Sequence, residues 1–128
     1  MEEDLVALLL ANTGVSALVG TRIYWVERKQ GAALPGVALT LIDGGEGHTQ
    51  DGPDGLGQYR VQIDSYGATY ASAKAVARAI TAALDGVRAG RLQGMFHDSS
   101  RDLREAGSND AERLFRTSSD FIINHRST

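Results

Sequence analysis

The chain has 128 residues, room for one domain with a single buried core, and it is 42% hydrophobic and 23% charged, the balance of an ordinary globular chain. It contains no cysteine, which excludes disulfides, thiolate metal sites and cysteine nucleophiles. Its net charge is −3 with no basic block, so nothing favours grip on a phosphate backbone; the apolar run Leu5 to Ala11 is too short to cross a bilayer, and Glu2, Glu3 and Asp4 before it are the reverse of a secretory leader.

The first element reads as a helix over Glu2 to Ala11. Its three leading acids suit the positive end of the helix dipole. Leu5, Leu8 and Leu9 share one face, and Asn12 and Gly14 supply a stop. Val15 to Val19 reads as one further short turn before Gly20. Arg22 to Val26 is rich in strand formers, and a polar loop, Glu27 to Ala32, follows. Pro35 blocks a helix, so Val37 to Asp43 reads as the second strand. Val37, Leu39 and Leu41 point one way and Ala38, Thr40 and Ile42 the other, the pattern of a strand covered on both faces. Gly44 to Gly57 then carries Gly44, Gly45, Gly47, Gly52, Gly55, Gly57 and Pro53. That composition predicts a long, mobile hairpin connection.

Gln58 to Ser65 is a clean strand, with Tyr59, Val61 and Ile63 on a dry face and Arg60, Gln62 and Asp64 on a wet one. Thr69 is placed to cap a helix over Tyr70 to Asp85. Its apolar stripe is Ala73, Val76, Ala77, Ile80, Ala83 and Leu84, opposed by Lys74, Arg78 and Asp85. Gly86 suits the C′ position. Leu92 to Phe96 begins another strand, continuing with a kink through Leu103. Gly107 to Asp110 reads as a turn. Arg113 to His125 is the last strand, with Phe115, Phe121 and Ile123 on one face and Arg116, Ser118, Asp120 and Asn124 on the other. The order implies one α+β domain over residues 1–128: a mainly antiparallel sheet of four to five strands, two helices on one face, and a long glycine-rich hairpin loop. The wet face and the sheet edges are left for partners.

No group of residues has the spacing of a catalytic or cofactor site. His48, His97 and His125 fall in separate segments without an i, i+4 partner or an HExxH pattern, so they read as solvent or interface histidines. Asp51 and Asp54 sit on a glycine turn that looks like a calcium loop, but the EF-hand spacing and its bidentate Glu are missing; an Asx turn accounts for them. Gly44-Gly-Glu-Gly47 lacks the ending of a phosphate loop and a helix after it. The serines lack a GxSxG context. Asp98, Arg101, Asp102, Arg104 and Glu105 form a mixed-charge run in which the arginines favour ionised, paired acids, suited to a charge-complementary contact. Tyr24 and Trp25 are aromatic anchors or core. The candidate residues are therefore interface residues: Trp25; Glu46, His48, Asp51 and Asp54 in the glycine segment; and the charged run Asp98, Arg101, Asp102, Arg104 and Glu105. No metal and no cofactor is expected.

The ordered phrases Leu5-Val-Ala-Leu-Leu-Leu10, Gly14-Val-Ser-Ala-Leu-Val-Gly20, Arg22-Ile-Tyr24, Leu34-Pro35, Tyr59-Arg-Val-Gln-Ile-Asp-Ser-Tyr66, Ala68-Thr-Tyr-Ala-Ser-Ala-Lys-Ala75, Leu114-Phe-Arg-Thr117 and Asp120-Phe-Ile122 resemble the phage tail-completion protein family, related to the tail terminators of long-tailed phages. The resemblance covers nearly the whole chain. It implies a non-enzymatic virion assembly protein of a phage, prophage or gene transfer agent. Such a protein is a subunit of a hexameric ring at the head–tail junction that caps the tail tube and joins the tail to the head connector. The implied partners are further copies, the major tail tube protein and the head-completion protein, with DNA passing through the ring without sequence-specific binding. A head-completion (stopper) or tube-like subunit is the alternative reading, and a small enzyme or ligand-binding domain a third.

Overall fold

Capping chemistry and apolar spacing together set the helices. The computed structural model describes residues 1–25, 34–49, 52–105 and 114–126, with backbone alone at 45–49, 52–56, 104–105 and 114. Helix α1 spans Glu2–Ala11 and helix α2 spans Thr13–Val19. Asn12 divides them: its backbone N–H closes α1 and its Oδ1 accepts from the Val15 N–H at 3.0 Å. An asparagine that ends one helix and caps the next is why the expected short turn is a full second helix. Strands β1 (Ile23–Trp25), β2 (Gly36–Thr49) and β3 (Gly52–Gly67) follow. Helix α3 spans Tyr70–Leu84, and the Thr69 hydroxyl accepts from the Ser72 N–H at 3.1 Å, as the cap requires. Asp85 is the C-cap and not the last helical residue. Gly86 takes φ 74° there, with its N–H donated to the Met95 carbonyl at 2.7 Å. Strands β4 (Leu92–Glu105) and β5 (Leu114–Arg126) complete the chain.

The five strands form one sheet in the order β1-β2-β3-β5-β4. β1 runs parallel to β2 and every other pair is antiparallel. The kink expected in β4 appears as two register shifts, at Leu92/Gly94 and His97/Ser99. All three helices contribute to one core on one face of the sheet: Leu5 and Leu9 from α1, Val15 and Val19 from α2, and Val76, Ile80 and Leu84 from α3 meet Leu39, Val61, Ile63, Met95, Phe121 and Ile123. Burying each such side chain stabilises the fold by about 1.5–3 kcal/mol.

The glycine segment is the main departure from expectation. Most of it is strand. Gly44↔Tyr59, Gly45↔Gln58, Glu46↔Gly57, His48↔Pro53 and Thr49↔Gly52 continue the β2–β3 ladder. Gly44 has φ 147°, and a Cβ there would lie 2.7 Å from both the backbone and the ring of Tyr59. Glycine at this position is thus demanded by close cross-strand packing as well as by backbone angle. β2 is covered on both faces only where it begins: Val37, Ala38 and Leu39 are buried, whereas Leu41 and Ile42 are exposed. The predicted loop Glu27 to Ala32 and turn Gly107 to Asp110 lie outside the described residues.

Candidate functional site

The helix-free face of the sheet carries two neighbouring groups of bonded polar side chains. Alternation places Arg60, Gln62 and Asp64 of β3 beside Asp120 and Ser118 of β5. Ser118 donates its hydroxyl to Asp64, and Gln62 Nε2 donates to both Asp64 oxygens at 3.1 Å. Arg101 Nη2 reaches Gln62 Oε1 at 3.3 Å. Arg60 Nη1 lies between Asp98 Oδ2 at 2.9 Å and Asp120 Oδ2 at 3.1 Å. These residues were expected to be wet, yet Asp64 is 5% exposed and Ser118 is fully buried. Buried polar groups of this kind stay only where they are hydrogen-bonded.

The helical face has polar residues at its rim. Asp102 on β4 accepts from the Thr117 hydroxyl at 2.9 Å, from Lys74 Nζ at 3.2 Å and from the Tyr70 hydroxyl at 3.2 Å, and so ties the start of α3 to the sheet. The Thr117 hydroxyl first, then Lys74 and Tyr70, hold the Asp102 carboxyl below the usual range against the opposing effect of burial. At the far end of the strands, His125 Nε2 lies 2.6 Å from Asp4 Oδ2 and pins α1 to β5. That hydrogen bond is the largest influence lowering the Asp4 pKa. His97 Nε2 lies 2.6 Å from Ser100 Oγ, which is 2.9 Å from Ser119 Oγ. Its backbone N–H donates to Asp85 Oδ1 at 2.9 Å.

Two grooves flank the helical layer. One, of about 400 Å³, lies at the β1 end between the outer flank of α1 (Glu2, Glu3, Val6, Ala7, Leu10) and Trp25. Trp25 Nε1 is enclosed and has no hydrogen-bond partner among the described residues. The other, of about 330 Å³, lies between α3 and the β4–β5 edge and is lined by Lys74, Ala77, Arg78, Ala82, Ser100 and Thr117 among others.

The structure does not gather the sequence candidates into one patch. Trp25 lines the first groove. Asp98 and Arg101 lie on the helix-free face and Asp102 on the helical face: alternation separates Arg101 from Asp102, and the register shift at His97/Ser99 puts Asp98 on the face opposite Asp102. Asp98 pairs with Arg60 across strands and Asp102 with Lys74 across to the helix. Glu46, His48 and Asp54 lie on the β2–β3 hairpin and Arg104 and Glu105 at the end of β4, where only backbone is described; Asp51 lies outside the described residues. His125, expected at solvent or an interface, is buried against Asp4. Missed in the sequence were the Asp64–Ser118 pair and the bridging role of Arg60 between Asp98 and Asp120, and Arg78 and the α1 flank as groove walls. For the flank, the signal was Leu10, an apolar residue off the Leu5–Leu9 stripe. Among the described residues no group of three or more His, Asp or Glu side chains could hold a metal ion, and no helix is long and apolar enough to cross a membrane.

What these features define is a small α+β domain with one helical face, one polar helix-free face and two chemically unlike ends. The chain belongs to the tail completion protein gp17 family, whose model matches residues 3–125. It is accordingly a structural protein of a phage-type tail. Among solved structures it shares its fold with a chain of the virion of a native gene transfer agent particle, at TM-score 0.68 and 23% identity, over 95% of this chain and 91% of that one. The comparison with curated proteins found no match.

Proposed function

We propose that the protein is a tail terminator: a subunit of a closed hexameric ring that caps the completed tail tube and joins it to the head connector. The observation that carries this reading is the family match over residues 3–125. The likeness to a chain of a gene transfer agent virion supports a place in such a particle. The physics agrees. A ring subunit needs two different, complementary sides, and this sheet ends in a three-residue parallel strand on one side and a 14-residue antiparallel strand on the other. The β2–β3 hairpin, which carries Glu46 and His48, continues past the last β3–β5 pair, Leu56↔Arg126. It serves as the contact with an axial neighbour, tube or connector. DNA passes through the lumen without sequence-specific contact, in keeping with a net charge of −3.

Negative-stain microscopy and native mass spectrometry of the purified chain with tail tube protein test the reading. Closed rings and capped tube ends are expected. A chain that stays monomeric and leaves tube ends bare overturns it.

A further inference from the structure

We infer that the two grooves are halves of one contact between copies: the outer flank of α1 in one copy seats in the α3–β4 groove of the next. The inference rests on the ring reading above and names the surfaces by which the ring closes.

Position is the first argument. The α1 groove includes Trp25 of β1, one end of the sheet order, and the α3 groove includes Ser100 of β4, the other end. A contact between two unlike surfaces at opposite ends can repeat from copy to copy as a heterologous interface. Repeated head to tail with a closing rotation, it gives the ring proposed above.

Charge is the second. Glu2 and Glu3 are exposed on the α1 flank, and Arg78 is exposed on the α3 wall. None of the three forms an ion pair with another described residue. Asp4, on the opposite flank of α1, is already held by His125, and Lys74 by Asp102. The unspent charges are therefore acidic at one end and basic at the other, the arrangement that steers and registers a contact.

Shape and chemistry of the surfaces are the third. Leu10 is 39% exposed on the α1 flank beside Val6 and Ala7. Ala77 and Ala82 keep the α3 wall low, so a second helix can approach closely.

The chain has no cysteine, so engineered thiols report this contact without background. A chain carrying Leu10→Cys mixed with one carrying Ala82→Cys should give a disulfide-linked dimer on mild oxidation of assembled rings. A chain carrying both should give a ladder ending at the ring. In parallel, Glu3→Arg and Arg78→Glu should each lower the ring fraction by about tenfold, and the two combined in one chain should restore most of it; melting curves of these surface variants confirm that they fold. If wild-type rings form but the thiols stay unlinked, or the single reversals leave ring yield unchanged, this contact is overturned while the ring reading stands. A wild-type chain that forms no ring with tube ends present overturns both.

Discussion

On the helical face of the sheet, Val61, Ile63, Phe121 and Ile123 are fully buried beneath three helices. On the helix-free face of the same two strands, the intervening residues are Arg60, Gln62, Asp64, Ser118, Asp120 and the half-buried Ile122, and burial of the polar ones is borne by hydrogen bonds and ion pairs. The apolar side is held by a non-directional force proportional to area. The polar side is held by partners, so its stability depends on which atom faces which. The difference teaches that one alternating strand pattern encodes two kinds of specificity. The first forgives substitutions of like volume; the second does not forgive loss of a partner.

The largest expected effect breaks the apolar side. Phe121→Ala should cost about 3–5 kcal/mol in urea unfolding, because a buried ring is lost and the helices above cannot fully collapse onto the gap. A cost below about 1 kcal/mol would mean that the helices do not hold this face closed.

On the polar side, Asp64→Ala should cost about 1–3 kcal/mol, since the Ser118 hydroxyl and the Gln62 amide lose a buried acceptor. Adding Ser118→Ala should cost less than the sum of the two single changes, because the pair acts as a unit. Strict additivity would show that the two residues do not share a bond in solution.

The rim of the helical face sharpens the comparison through pH. Asp4 and Asp102 have carboxyl pKa values lowered from 3.8, Asp4 first by His125 and Asp102 first by Thr117. A carboxylate depressed in the folded state contributes stability above its unfolded pKa of about 3.9. That contribution is lost as pH falls through the folded value. Melting temperature should therefore drop below about pH 4, and the drop should be shallower in a chain with Asp4→Asn and Asp102→Asn. An unchanged acid limb in that variant would assign the acid loss to other carboxylates.

Legibility followed the same division. Helix α1, the Thr69 cap, the stripe of α3 and the buried positions Val61, Ile63, Phe121 and Ile123 could be read because period and capping are local. The parallel pairing of β1 with β2 could not, since nothing local specifies strand direction. The glycine segment was read as loop because glycine usually signals turns. Strand pairing needs only backbone groups, and Gly44 is present because the Tyr59 ring fills the space of a side chain. Burial of Asp64, Ser118 and His125 escaped notice because each depends on a partner distant in sequence: Asp64 with Ser118, and His125 with Asp4. For the candidate site, sequence singled out Trp25 and the charged run of β4. It could not foresee that the register shift at His97/Ser99 sends Asp98 and Asp102 to opposite faces with separate partners.

The smallest effect is expected at the exposed margin of the polar side. Arg60 bridges Asp98 and Asp120, whose side chains are 46% and 16% exposed. Asp98→Ala should cost less than about 1 kcal/mol, since an exposed ion pair is screened and holds two mobile side chains in one geometry. The small loss should vanish by about 1 M salt, where screening acts within a few ångströms. Asp120→Ala should cost more than Asp98→Ala, because it removes the less exposed partner and leaves Arg60 only the more exposed one. If instead Asp98→Ala matches Asp64→Ala and resists salt, the polar side is buried to its margin in solution. The helix-free face would then be as closed as the helical one, and the contrast between the two faces would be one of chemistry alone and not of depth.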